Sequence, residues 1–142
     1  MRTEVKFPVL ERLAGKTMTN YPIGDFLIKV KNAAAAGKKD VVVPQSKLIL
    51  SVAAVLKKEK YLSDVGISDG QVTVKISYMK KMPVLVELKL VSKPGKRVYI
   101  GVEEIREHKG LSFFILSTPM GIMASKDALK KNIGGEVIAE IH

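Results

Sequence analysis

The apolar residues of this chain change their spacing part-way along the sequence, and this change constrains the fold more than any other feature. Two segments carry them at the 3.6-residue period of an amphipathic helix: Ile23, Phe26, Leu27 and Val30, then Leu48, Val52, Val55 and Leu56. After Tyr61 the period becomes two, which is typical of a half-buried strand: Val72, Val74 and Ile76. Helices and paired strands in one chain predict an α+β protein.

Turn and cap residues order the first half. Asp40 to Val43 predicts a short buried strand, and Ser46 stands where it would cap the second helix. Asp69-Gly70 is typical of a β-hairpin turn. The order helix, strand, helix, strand, strand predicts an N-terminal α+β subdomain over residues 17–80, preceded by an extension over residues 1–16.

A second subdomain is predicted over residues 81–142, because Pro83 cannot donate to a central strand. Alternating apolar residues then predict one face of a strand: Val84, Val86, Leu88 and Leu90. Leu111 to Leu116 and Glu136 to Ile141 predict two further strands, with a short helix capped by Ser125 between them. This half is expected to be mostly β with a short helix, and the two small subdomains are expected to pack together.

The charge of the chain favours a polyanionic partner. It carries 24 Lys and Arg against 14 Asp and Glu, a formal net charge of +10. Nucleic acid is the first candidate partner, through counterion release, and an anionic membrane surface is the second. No stretch approaches the roughly 20 apolar residues of a membrane-spanning helix, and the absence of Cys suits a reducing compartment. We expect a cytoplasmic protein without membrane contact.

Catalytic chemistry has little support in the sequence. The two histidines, His108 and His142, are predicted to be exposed, and no nucleophile stands in an evident relation to either. The acidic residues show no spacing typical of a metal site or a carboxylate pair, and Gly134-Gly135 lacks the lysine of a phosphate-binding loop, so it predicts a turn. We therefore expect no enzyme activity, no cofactor and no metal.

The basic residues Lys93, Lys96 and Arg97 flank Pro94-Gly95, which predicts a type II turn. A rigid turn holds positive charge in a fixed geometry and suits the backbone of a structured RNA. Ser117 and Thr118 follow a predicted buried strand. Their hydroxyls either contact RNA or satisfy backbone groups of the turn, and the spacing favours neither. Lys29 and Lys31 likewise either complement a helix dipole or reach phosphate.

Several motifs in order along the chain resemble those of one protein family, the universal small-subunit ribosomal protein numbered eight in its bacterial form. The resemblance extends over residues 19–141 and is carried by five segments: Pro22 to Asn32, Val43 to Leu48, Ser92 to Tyr99, Leu116 to Met123 and Gly134 to Ile138.

This resemblance implies a two-part α+β fold that binds the central domain of small-subunit ribosomal RNA early in assembly, next to other small-subunit proteins. It also implies repression of the protein's own operon through its messenger RNA. The RNA-binding positions that it implies are Ser117, Thr118, Gly121, Lys93, Pro94, Gly95, Lys96, Arg97, Tyr99, Gly134, Gly135, Glu136, Lys29, Lys31, Asn32, Ser46 and Lys47.

The chain departs from the family pattern at two places. Pro119 and Met120 stand where the family usually has Ser and Lys, so the turn after Thr118 has one hydroxyl and one cation fewer. Tyr21 stands where an acidic residue at the start of the helix is common.

Overall fold

The computed structural model describes residues 21–85, 87–108, 110 and 112–142, so the predicted extension over residues 1–16 lies outside the described residues. The helices are α1 (Pro22–Ala35), α2 (Lys47–Lys58), α3 (Val102–Glu107) and α4 (Ser125–Lys130). The strands are β1 (Asp40–Pro44), β2 (Leu62–Ser68), β3 (Gln71–Ile76), β4 (Tyr78–Met79), β5 (Met82–Pro83), β6 (Leu88–Leu90), β7 (Tyr99–Ile100), β8 (Phe113–Thr118), β9 (Gly121–Ala124) and β10 (Gly135–Ile141). The predicted α+β class and the order of elements in the first half are confirmed.

Helix α1 begins at Pro22, whose fixed φ suits a first helical position. All four predicted core residues of this helix are buried: Ile23, Phe26, Leu27 and Val30. The helix ends in a Schellman motif, in which the N–H of Gly37 donates to the carbonyl of Ala34 and the N–H of Lys38 to that of Ala33. Gly37 adopts φ +75°, which glycine accepts without a steric penalty.

Helix α2 corrects one predicted core residue. Leu48 is 54% exposed, whereas Ile49 is 4% exposed and takes the inward position. The buried set therefore begins one residue later than predicted, and it keeps the other three predicted residues: Ile49, Val52, Ala53, Val55 and Leu56. Ser46 does occupy the N-cap position, but its side chain makes no capping hydrogen bond.

The first half forms an antiparallel sheet in the order β1-β3-β2. Its middle strand buries Val72, Val74 and Ile76, as the alternation predicts. Asp69 and Gly70 both have positive φ, so the predicted hairpin turn between β2 and β3 is confirmed.

The predicted strand after Pro83 is confirmed only at its end, over Leu88–Leu90. Before it, the chain forms a hairpin of two short strands, β4 and β5, between which Lys80 and Lys81 both adopt positive φ. Leu88 of β6 is buried, and so is Leu85 before the strand. Val86 lies outside the described residues.

The second half forms a five-stranded sheet in the order β9-β8-β10-β6, with β7 also pairing with β10. Its central strand β10 breaks the predicted alternation, because Val137, Ile138 and Ala139 are consecutive buried residues. The pairing of β10 with β8 shifts register between Val137 and Ala139. This bulge directs Val137 to one core and Ala139 to another.

Two local predictions in this half are wrong. Ser125 is the first residue of α4 rather than its cap, and its buried Oγ accepts a hydrogen bond from the N–H of Phe114 at 3.1 Å. The turn before β10 lies at Lys131 and Asn132, the latter with φ +58°, and not at Gly134-Gly135.

The larger core runs through both halves: it joins α1, α2 and the first sheet to Leu88, Ile115 and Ile141 of the second sheet. A smaller core lies under α3 and α4 and contains Leu116 and Val137. Among the described residues, no helix is long and apolar enough to cross a bilayer.

Candidate nucleic-acid interface

The Lys93–Lys96 turn is rigid and exposed. The N–H of Lys93 donates to the carbonyl of Lys96 at 3.0 Å, and the N–H of Lys96 donates back to Lys93 at 2.8 Å. Gly95 has φ +82°, the value that a type II turn requires at its third residue. Lys93, Pro94, Gly95 and Lys96 are all exposed, so the turn presents two lysines on a backbone of defined shape.

Ser92 anchors this turn to the sheet. It is fully buried, and its Oγ accepts from the N–H of Val98 at 2.9 Å and lies 3.2 Å from the carbonyl of the same residue. Its own N–H donates to the carbonyl of Val137 in β10 at 3.1 Å. The orientation of the Lys93–Lys96 turn is therefore set by the central strand.

The hydroxyls of Ser117 and Thr118 have different surroundings. Oγ1 of Thr118 donates to the carbonyl of Gly121 at 2.7 Å and accepts from the N–H of Met120 at 3.1 Å. This hydroxyl therefore satisfies the turn, the structural alternative that the sequence left open. Among the described residues, no hydrogen bond uses the hydroxyl of Ser117, which lines a cleft.

Gly134 and Gly135 allow neighbouring strands to approach β10 closely. A Cβ on Gly135 would overlap the carbonyl oxygen of Ser117 and lie 3.0 Å from its carbonyl carbon. A Cβ on Gly134 would overlap the carbonyl oxygen of Ile100 and lie 2.9 Å from the Cα of Gly101. This approach places the next residue, Glu136, opposite Ser117 on one side and Tyr99 on the other.

Arg97 is held between an aromatic ring and a carboxylate. Its Nη1 lies 3.3 Å from Oε2 of Glu136, and its Cζ lies 5.3 Å from the ring centroid of Tyr21. The hydroxyl of Tyr21 donates to the carbonyl of Ser92 at 3.1 Å. Partial burial raises the pKa of Tyr21, while the positive charge of Arg97 acts in the opposite direction. The Arg97 side chain keeps 43% of its surface exposed, so it remains accessible to a phosphate.

A cleft of about 420 Å³ brings residues of both halves together. Its walls have apolar residues, among them Ile23, Leu48 and Ile122, beside four polar side chains that the sequence singled out: Ser46, Arg97, Ser117 and Glu136. These four are far apart in sequence, and only the packing of α1 and α2 against the second sheet makes them neighbours.

Comparison with known proteins decides the family. The sequence model described as Ribosomal protein S8 matches residues 21–142. The small ribosomal subunit protein uS8 of Nitratidesulfovibrio vulgaris strain DP4 is 44% identical over 125 residues, which span 87% of this chain and 99% of the relative. Its namesake in Persephonella marina is 41% identical over 135 residues, spanning 87% and 99%.

This chain belongs to the ribosomal protein S8 family. The family recognised from the sequence motifs is therefore confirmed. A third uS8 relative, from Allorhizobium ampelinum, is 41% identical over 131 residues and agrees with the other two. Ribosomal proteins S8 are structural components of the small subunit rather than enzymes.

Two further predicted residues, Lys29 and Asn32, line depressions that continue from the cleft. A second depression shares Pro22 and Ser46 with the cleft and extends to Lys29, and a third shares Lys29 and extends to Asn32. Lys47 is exposed beside Ser46 at the start of α2. Lys31 is exposed on α1 but lines none of these three depressions.

His108 is not the exposed residue that the sequence suggested. Its ring is half-buried against Phe114, with centroids 4.5 Å apart, and Nε2 lies 3.1 Å from Oγ of Ser112. Ser112 donates its hydroxyl proton to Glu140 at 2.7 Å, so His108 does not accept that proton. Within the ranges described, no three metal-binding side chains form a cluster.

Sequence reasoning missed two residues of this surface. Ser92 gave no signal beyond its place before the Lys-Pro-Gly turn, because its contact with β10 is long-range. Tyr21 was noticed only as a departure from the family pattern. Gly24 follows it by three positions inside the predicted helix, and this spacing could have indicated that the ring packs closely against the helix.

Proposed function

We propose that this chain is a structural constituent of the small ribosomal subunit that binds the central domain of small-subunit ribosomal RNA directly and nucleates assembly of the platform. Family membership supports the ribosomal role, and the observation that carries direct RNA binding is the surface formed by the Lys93–Lys96 turn, Arg97 and the adjoining cleft. The predicted subdomains, residues 17–80 and 81–142, are retained in this proposal, with the second making the main contact.

The proposed contact combines two kinds of group on one rigid support. Lys93, Lys96 and Arg97 supply positive charge for phosphates. Ser117, whose hydroxyl no other described residue binds, supplies a donor and acceptor for a base edge or a ribose hydroxyl. The backbone beneath these groups is held by β8 and β10, so little conformational entropy is lost when RNA binds.

The first half extends the contact along the RNA backbone. The cleft and the two depressions beyond it share lining residues, and Lys29 and Asn32 lie along this path. The amide of Asn32 and the ammonium of Lys29 suit phosphate and sugar groups rather than bases. We assign these residues a positioning role and assign sequence or shape recognition to the Ser117 region.

A salt titration tests the phosphate role. Binding of the chain to a transcript of the central domain is measured at rising salt, and the slope of log affinity against log salt is compared between variants. Lys93→Gln and Lys96→Gln should each lower the slope by about 0.7 to 0.9, the value for one lost phosphate contact. The matched control is Lys75→Gln, an exposed lysine on β3 outside the proposed surface.

An unchanged slope in both turn variants would contradict the phosphate role of the turn. A central-domain transcript that binds no better than unrelated RNA of equal length would contradict the proposed function altogether. In the same assay, the messenger leader of the protein's own operon serves as a competitor. Comparable affinity for the leader would support the regulatory role that the family resemblance implies, and much weaker affinity would reject it.

A further inference from the structure

Tyr21 sits in a niche that exists only because residue 24 is glycine. A Cβ on Gly24 would lie 2.5 Å from Cδ2 and 2.8 Å from Cε2 of the Tyr21 ring. Gly24 is buried inside α1, and it is absent from the residues with positive φ. Its backbone therefore does not require glycine, although glycine inside a helix costs about 1 kcal/mol relative to alanine. The close approach of the Tyr21 ring gives glycine a reason to be there.

The niche fixes the ring at the junction between the two halves. From this position the hydroxyl of Tyr21 reaches the carbonyl of Ser92, at the base of the Lys93–Lys96 turn. The ring itself packs against the guanidinium of Arg97. One residue at the start of α1 thus contacts both the turn and the arginine that the proposed function assigns to phosphate binding.

We infer that Tyr21 is a positioning residue for RNA binding, which holds the Arg97 guanidinium by stacking so that its free N–H donors face a phosphate. This inference rests on the proposed function and deepens it. Arg97 has five N–H donors, and its contact with Glu136 leaves most of them available. Stacking on a ring uses the face of the guanidinium and leaves its edge free, whereas a second carboxylate would occupy that edge.

The charge of the site supports the same assignment. An acidic residue at position 21 would stand beside Arg97 as a second anion next to Glu136. Tyrosine is neutral and stabilises the cation through its π face. Among the described residues, the arginine held at this site faces one carboxylate, that of Glu136.

The experiment measures RNA affinity and salt slope for four variants of the full chain, with the central-domain transcript as the probe. Tyr21→Leu removes the stacking face, and we expect affinity to fall about fivefold, the equivalent of an exposed cation–π contact. Tyr21→Phe keeps the face and loses the hydroxyl, with its bond to Ser92 and its polar contact with Arg97, so affinity should stay within about twofold of wild type. Arg97→Gln, and the double variant with Tyr21→Leu, complete a mutant cycle.

The cycle separates positioning from a purely structural role. If Tyr21 acts through Arg97, Tyr21→Leu lowers affinity in the wild-type background and has no further effect on the Arg97→Gln variant. Equal losses in both backgrounds would overturn the inference, because a general effect on the fold does not depend on Arg97. An affinity of Tyr21→Phe as low as that of Tyr21→Leu would overturn it as well.

Gly24→Ala provides an independent test that leaves Tyr21 and Arg97 in the sequence. The new Cβ expels the ring from its niche, so affinity should fall as far as in Tyr21→Leu. Gly66→Ala is the matched control, since a Cβ there meets no atom within 4 Å and Gly66 lacks a positive φ. Wild-type affinity in a folded Gly24→Ala chain would overturn the inference. The proposed function would still stand after such a result, provided that the wild-type protein binds the transcript and Lys93→Gln lowers the salt slope.

Discussion

Replacing Gly135 with alanine tests whether the glycine pair before β10 is needed by the fold or by RNA. The added Cβ would overlap the carbonyl oxygen of Ser117 and lie 3.1 Å from Cγ2 of Thr118. The first of these atoms belongs to the backbone of the paired strand β8, so no rotamer change relieves the overlap. A carbon and a carbonyl oxygen in neighbouring strands normally stay about 3.3 to 3.6 Å apart, so β8 must move by on the order of 1 Å.

The expected cost follows from overpacking a tight interior. Forcing one extra carbon into a packed site costs about 1 to 3 kcal/mol. An unfolding entropy of about 2.1 cal/mol/K per residue gives roughly 0.25 kcal/mol/K for about 120 ordered residues. A loss of about 2 kcal/mol should therefore lower the Tm by roughly 8 °C.

Thermal unfolding followed by circular dichroism measures this change, with Gly66→Ala as a control whose Cβ meets no other atom within 4 Å. RNA affinity should also fall in Gly135→Ala, because the displaced β8 moves Ser117 away from Glu136. A Gly135→Ala chain with the wild-type Tm would refute the packing argument. If its RNA affinity then fell alone, the glycine would have to be assigned to a direct RNA contact.

Three further outcomes are expected. Thr118→Ala should lower the free energy of unfolding by about 1 kcal/mol, because it removes a satisfied hydroxyl from the turn, whereas Ser117→Ala should leave stability unchanged and weaken RNA binding; denaturant unfolding beside an affinity assay separates the two. Ile49→Ala should cost about 2 to 4 kcal/mol and Leu48→Ala under about 1 kcal/mol in the same unfolding assay, and similar losses would contradict the helix phase. The hydrogen bond that Lys126 donates to Glu59 raises the pKa of Lys126, and burial raises the pKa of Tyr61. Both groups hold their proton more firmly when folded, so stability should be level up to about pH 10 and fall as pH rises through the folded pKa values, and urea unfolding at pH 8 to 11 that shows no fall would contradict this.

Regular periodicity was the part of the fold that the sequence predicted well. Helix α1 and strand β3 have one buried face each, so Leu27 and Val74 stand at positions that a simple period identifies. The predictions failed where tertiary contacts interrupt a period. In β10 the bulge moves Val137 to a different core from Ala139, and in α2 two adjacent apolar residues, Leu48 and Ile49, left the helix phase ambiguous by one residue.

The candidate site was predicted in pieces. The motifs identified the Lys-Pro-Gly turn, Ser117 and Glu136, because each lies in a short ordered segment with a recognisable composition. They did not separate the hydroxyl of Thr118, which serves the turn, from that of Ser117, which no other described residue binds. Hydrogen-bond partners depend on where neighbouring backbone lies, and spacing along one segment carries no information about that.

The sequence by itself determined the family, the α+β class, the basic charge and the short motifs, since each depends on residue types at fixed separations along the chain. Only the tertiary structure decided that Tyr21 from the first half stacks on Arg97 from the second, and that Gly24 and Gly135 make room for a ring and a strand. The contacts of Tyr21 with Arg97 and of Gly135 with Ser117 join residues more than 15 positions apart, and close packing rather than local propensity selects them.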